Sequence, residues 1–255
     1  MKSRIALLSL LSTAVWAQHA LAPPEVGYML DSHSHVYPVN GLAGNFLVGR
    51  TTTSGVISAA FSGSFRLLKS DSALTVINQQ GRRVARMDAP PGPALFAFSA
   101  NGSPAVAYFT QSKTLCVWDG REFQPGPAFD QAVLSISALS SSLGEFVIER
   151  GGELWELQVE LATGAIVSQA ALPGIAAPVL MLAGGGLLYR DSRGLVLRRS
   201  DGTQKLIAAK LPANLALSQM GKAWIQLTDL ATGRLSALSI APGHEAYYLL
   251  PEARP

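Results

Sequence analysis

The chain has 255 residues, 48% of them hydrophobic, with 20 Lys+Arg against 17 Asp+Glu and one cysteine. That length and apolar content suffice for a well-buried core, while a single cysteine excludes an internal disulfide and a cysteine-built metal cluster. The charges are nearly balanced and form no long basic stripe, which excludes the electrostatic footprint of a nucleic-acid binder.

The first residues read as a secretory leader. Lys2 and Arg4 precede an apolar run over residues 5–16, and Val15-Trp16-Ala17 offers small residues where a signal peptidase cuts. The run is too short to cross a bilayer, which takes about 20 residues. Cleavage after Ala17 is expected, giving a signal at 1–17 and a mature domain at 18–255, exported to the periplasm or beyond the cell. The leader carries two of the bases and no acid, so the mature chain has 18 basic against 17 acidic residues. No membrane span is expected in the mature chain.

Beyond the leader, helical periodicity gives way to short runs of β-branched and aromatic residues separated by Gly, Pro, Ser, Asn and Asp. In chain order, strands are predicted at 57–61, 65–69, 74–78, 95–98, 105–109, 133–138, 145–150, 154–159, 187–190, 195–198 and 223–228, with two or three more across 27–39 and 46–48 and one at 244–250. Between 81 and 86 lies Gly81-Arg82-Arg83-Val84-Ala85-Arg86, a strand with basic side chains facing water. Leu134, Ile136 and Ala138 alternate with Ser135 and Ser137, the period of a strand with one face on a core. Asn101-Gly102, Asp119-Gly120 and Asp201-Gly202 suit tight hairpin turns. Cys116 sits in an apolar strand and reads as an inert buried thiol.

Pro/Gly punctuation recurs around Pro91, Pro125, Pro173, Pro212 and Pro242. From Pro91 to Pro242 is 151 residues in four steps, or about 38 per step, close to one four-stranded propeller blade. Leu161-Ala162-Thr163-Gly164 and Leu230-Ala231-Thr232-Gly233 repeat at an offset of 69, as do Trp155 and Trp224. That offset falls short of two blades, so the later repeat is either truncated or out of phase.

Val117-Trp118-Asp119-Gly120, with Trp155 and Trp224 at related places, resembles the superfamily of WD40-like and YVTN-like β-propellers. Gly27-Tyr28-Met29-Leu30-Asp31 followed by Pro38-Val39-Asn40-Gly41 looks like the opening of exported bacterial propeller-like proteins. The Gly-His dipeptide of WD repeats is missing, and the resemblance implies architecture alone. The expected fold is all-β: a single propeller of four-stranded antiparallel blades. Five repeats begin near Ile57, Leu95, Val133, Pro178 and Leu215. The two chain ends are expected to supply a sixth blade, closing the ring by pairing the N- and C-terminal strands, with five or seven blades as alternatives.

Chemistry-bearing patterns are few. Asp31, His33 and His35 would share one face of an extended strand and offer a carboxylate and two imidazoles to a metal, with His244 as a fourth ligand; ordinary polar turn residues are the alternative. No Gly-x-Ser-x-Gly elbow occurs, and Gly184-Gly185-Gly186 lacks the ending and the helix of a phosphate loop. No catalytic residue and no cofactor is assigned. The second strands of the blades end at Lys69, Thr110, Arg150, Arg190/Asp191 and Asp229, which a propeller gathers on one face. Lys69, Arg150, Arg190, Asp191 and Asp229 are therefore the candidate binding ring for a protein, peptide or glycan, with the two arginines as forks for an anionic group. The expected role is a non-enzymatic binding or scaffold module. The competing reading is a hydrolase or lyase acting on carbohydrate or lactone through carboxylates in the channel.

Overall fold

The structure, a computed structural model, describes residues 23–252. The expected leader at 1–17 lies outside the described residues. Among those described there is no helix; 23 strands form six antiparallel sheets, and in each the spatial order of strands follows the chain.

Blade 1 comprises β1 (Glu25–Leu30), β2 (Val36–Leu42) and β3 (Asn45–Val48). Blade 2 comprises β4 (Ser58–Phe61), β5 (Phe65–Lys69), β6 (Ala73–Asn78) and β7 (Arg83–Asp88). Blade 3 comprises β8 (Ala94–Phe98), β9 (Ala105–Phe109), β10 (Thr114–Trp118) and β11 (Phe123–Ala128). Blade 4 comprises β12 (Val133–Ala138), β13 (Leu143–Arg150), β14 (Glu153–Glu160) and β15 (Ile166–Ala171). Blade 5 comprises β16 (Ala176–Leu182), β17 (Gly186–Asp191), β18 (Gly194–Arg198) and β19 (Gln204–Ala208). Blade 6 comprises β20 (Leu215–Gln219), β21 (Trp224–Asp229), β22 (Leu235–Ser239) and β23 (Ala246–Leu249).

A meander of this size has two apolar faces and can shield neither alone, so each face packs on a neighbour. Six buried clusters record six such seams. Leu67, Leu74 and Val76 of blade 2 meet Phe98, Ala107 and Trp118 of blade 3. Further clusters join blades 3 and 4 around Tyr108 and Phe146, blades 4 and 5 around Val147 and Tyr189, and blades 5 and 6 around Leu188 and Ile225. Blade 1 packs on blade 2 through Val36, Phe61 and Leu68, and on blade 6 through Met29, Phe46 and Met220. The circle is complete: the molecule is a six-bladed β-propeller. Each fully buried aliphatic or aromatic side chain contributes about 1.5–3 kcal/mol to holding it.

The repeat starts agree with the sequence to within two residues. β4, β8, β12, β16 and β20 pack on one another in a ring around the axis. These inner strands are covered on both sides, so the serines that alternate with Ile136 are themselves buried. Ser135 Oγ accepts the Met181 amide at 2.8 Å and Ser58 Oγ accepts the Ala94 amide at 3.0 Å. The hydroxyls thus satisfy backbone donors of the next inner strand, which have no further strand to pair with.

The ring closes differently from expectation. Blade 1 has three strands, and among the described residues no ladder joins it to β23, which pairs instead with β22 through the short turn at 240–245. A local hairpin costs less loop entropy than a partner at the far end of the chain. The β1–β2 loop at Asp31 occupies the place of the β17–β18 loop at Asp191, so β1, β2 and β3 correspond to second, third and fourth strands. What blade 1 lacks is an inner strand. The inner edge of β1 therefore needs other partners. Tyr28 N–H donates to Met220 O (2.8 Å), Leu30 N–H to Gln226 Oε1 (2.9 Å), and Gln226 Nε2 to Leu30 O (2.8 Å). The approach is so close that a Cβ on Gly27 (φ +151°) would lie 1.9 Å from Met220 O.

The 69-residue offset is a phase shift. Leu161–Gly164 turns between third and fourth strands, whereas Leu230–Gly233 turns between second and third. Both are the same turn: Thr163 Oγ1 donates to Glu160 (2.6 Å) and Thr232 Oγ1 to Asp229 (2.7 Å), and in each the glycine amide returns to the carbonyl of that acid. Pro125 and Pro127 lie inside β11 rather than at a blade exit; an outer strand tolerates proline because its free edge needs no N–H.

Candidate functional site

In an up-and-down meander, loops between second and third strands all emerge at one end of the ring, together with the connections between blades. The five residues of the predicted binding ring do end on this face, but most are held within the protein. Lys69 is fully buried, and its Nζ curls back to donate to Ser70 O (2.7 Å) and Asp71 O (2.9 Å). Burial lowers its pKa, with Asp71 opposing. It closes its own loop and is withdrawn from the surface. Arg190 Nη1 donates to Pro212 O (3.2 Å) and Ala213 O (3.0 Å), clipping the connection between blades 5 and 6. Arg150 lies exposed, 5.6 Å over the Trp155 ring, and donates to Gln169 on its own outer strand. The two guanidinium groups are turned to different partners and form no common fork.

The two aspartates shape loops. Asp191 Oδ1 accepts the amides of Arg193 (2.8 Å) and Gly194 (3.2 Å), while Oδ2 takes Arg193 Nε (2.9 Å) and Nη2 (2.6 Å). The Arg193 guanidinium, and then these amides, hold its carboxyl below the usual range. Asp229 accepts from the Ala231 amide and the Thr232 hydroxyl, which lower its pKa in the same way. Short polar side chains at strand ends bind nearby amides wherever a turn offers them.

Asp31 does the same on blade 1. Its Oδ1 accepts the amides of His33 (2.9 Å) and His35 (2.8 Å), and Oδ2 stands 3.8 and 3.6 Å from their Nδ1 atoms. Among the described residues no group of three or more His, Cys, Asp or Glu is placed to hold a metal ion. The strand alternation that suggested one fails because β1 stops at Leu30 and residues 31–34 turn, with Ser34 at φ +66°. His244 belongs to the β22–β23 turn at the opposite end of the ring.

A large concavity on this face lies at the ring closure. A cleft of about 710 Å³ opens between the loops of blades 1 and 6, floored by Met29 and Leu250 and rimmed by Asp31, Asp229, Arg234 and Glu252. Its size is that of a small-ligand or side-chain site, with an apolar floor and a polar, charged rim. It was hidden from the sequence because its walls come from opposite ends of the chain.

Trp118 and Cys116 are packing residues. Trp118 stacks edge-on against Phe65 with centroids 4.8 Å apart, and Asp119 takes the amides of Arg121 and Glu122 in the following turn. Burial pushes the Cys116 thiol up to about 12, so no thiolate forms near neutral pH.

No family model matches the chain, and no curated protein matches it. Solved structures do. A chain of the nidogen/laminin complex superimposes with a TM-score of 0.58 at 11% identity, over 89% of this chain and 93% of that one. TolB from Acinetobacter baumannii superimposes with a TM-score of 0.55 at 13% identity, over 88% and 66%. At these identities the likeness is one of fold: the chain shares the β-propeller architecture of both.

Proposed function

We propose that this propeller is a non-enzymatic binding or scaffold module acting outside the cytoplasm, docking a protein, peptide or glycan on the face that carries the second-to-third strand loops. The observation that carries this reading is the chemistry of the channel wall. β4, β8, β12, β16 and β20 contain no Asp, Glu, His, Lys or Arg. A hydrolase or lyase working in the channel needs convergent carboxylates or a metal there. The loop face instead presents Arg150, His33 and Arg193 exposed around the cleft and the blade mouths. One of the two structural neighbours is a chain of the nidogen/laminin complex, which agrees with a protein partner.

An extracytoplasmic site rests on the leader pattern. No helix among the described residues is long and apolar enough to cross a membrane. Fractionation with N-terminal sequencing should find the mature protein beginning at Gln18 outside the cytoplasm. For the binding role, tagged mature protein should retain a component of its own envelope fraction, and Arg150→Glu with Arg193→Glu should abolish retention. Lys222→Glu, on the opposite face, should leave it unchanged. Retention indifferent to the loop-face changes, or turnover of a carbohydrate or lactone panel, would sink the reading.

A further inference from the structure

The seam between blades 4 and 5 is apolar along much of its length, with Val147 and Leu154 of blade 4 against Met181, Tyr189 and Val196 of blade 5. It changes character towards the end away from the loop face. Alternation along β13 and β14 turns Glu145, Glu156, Gln158 and Glu160 to the same side as Val147 and Leu154. Ladder pairing sets Ser137 opposite Glu145 and Glu145 opposite Gln158, with Glu156 one diagonal step away. Ser137 is buried, and among the described residues neither its Oγ nor the buried Glu145 Oε2 has a hydrogen-bond partner. Arg198 of β18 reaches across from blade 5, but its Nη2 goes to Glu156 Oε2 at 3.4 Å.

The other groups around this cluster are engaged elsewhere or uncharged. Glu160 takes the Thr163 hydroxyl in its own turn, Lys205 of β19 reaches Glu245 on the far side of blade 5, and Tyr189 lies in the apolar part of the seam. β12, β15 and β16 carry no charge. Two neighbouring carboxylates thus share one guanidinium, and one of their oxygens is buried without a donor. A buried acceptor left unmade is costly, and a second carboxylate beside it adds repulsion. We propose that Glu145 is a proton-binding residue that makes this seam acid-responsive: ionised, it loosens the contact between blades 4 and 5; on taking one proton from solvent it sheds the repulsion with Glu156, gains an O–H to donate, and the contact tightens. Burial, then the Glu156 charge, raises the Glu145 carboxyl above its usual range, with Gln158 and Arg198 opposing. A carboxyl with a raised folded pKa destabilises above that value, and the penalty fades as pH falls to the unfolded value of about 4.3.

Carbon-detected NMR of the mature chain, with the Glu145 carboxyl assigned against Glu145→Gln, tests this. The wild-type carboxyl should titrate above the usual glutamate value of about 4.3. Glu156→Gln should lower its midpoint by removing the repulsion, and Arg198→Gln should raise it by removing the cation. Glu145→Gln, which keeps the shape and discards the charge, should raise the thermal midpoint at pH 7 by about 2–4 °C, with the gain gone near pH 4. The Met181 amide crosses the seam to Ser135 Oγ at 2.8 Å. Its exchange, corrected for the intrinsic effect of pH, should slow severalfold from pH 7 to pH 5 in wild type and stay level in Glu145→Gln. A Glu145 midpoint at or below the usual value, a midpoint indifferent to Glu156→Gln, or a Glu145→Gln gain equal at both pH values would each overturn the proposal. So would calcium that stabilises wild type at pH 7 and leaves Glu145→Gln unchanged, since a metal rather than a proton would then fill the cluster.

Discussion

The seam between blades 5 and 6 and the seam between blades 6 and 1 solve one packing problem with different means. The first has a chain connection, inner strands on both sides and a charged lock: Arg199 and Lys205 of blade 5 both reach Glu245 of blade 6. The second has no connection and no inner strand from blade 1. It relies on a glycine contact, one side-chain amide and an aromatic trio in which Phe46 stands 5.5 Å from Trp224 and 5.7 Å from Tyr248. Where the chain crosses, electrostatics trims an interface that already exists. Where it does not, shape must carry the closure.

The largest effect is expected at the glycine contact. Gly27→Ala should destabilise by about 4 kcal/mol, since the methyl group has no room and φ is unfavourable. Gly174→Ala, at φ +74° in open space, should cost only about 1 kcal/mol. Denaturant midpoints separate the two, and equal losses would show that the close approach is not what matters. Phe46→Ala should cost about 3 kcal/mol by emptying the aromatic trio. Gln226→Leu should cost about 2 kcal/mol, because both polar groups of Leu30 lose their partner.

The smallest effect belongs to the charged lock, and of these effects it alone should depend on pH. The Lys205 ammonium, with Arg199, holds the Glu245 carboxyl down to about 2. A carboxyl with a depressed folded pKa stabilises fully above its unfolded value of about 4.3 and loses that contribution as pH falls through about 2. Glu245→Gln should therefore be less stable than wild type at pH 7, with the gap closing towards pH 2. The Phe46→Ala deficit should change little over the same range. Thermal midpoints of the three proteins at both pH values would show it; a pH-independent gap for Glu245→Gln would remove the lock.

The inner and second strands were legible because period-two runs and turn residues repeat with the blade. Two features blurred the count: prolines inside β11 looked like a blade exit, and one Ala-Thr-Gly turn serves two different hairpins. The loop face was legible as a location and poorly as chemistry. Lys69 and Arg190 are long enough to bend back to carbonyls, which residue type does not reveal. Gln226 left no mark at all, since a lone glutamine in a strand says nothing of a partner 196 residues away.

The amide of Leu30 reports on the closure most directly. Site-resolved hydrogen exchange should find it protected in wild type and selectively exposed in Gln226→Leu, while the Tyr28 amide, held by Met220 O, keeps its protection. A Leu30 amide as slow in the variant as in wild type would mean that a backbone strand covers that edge, and that the first and last blades are joined by pairing after all.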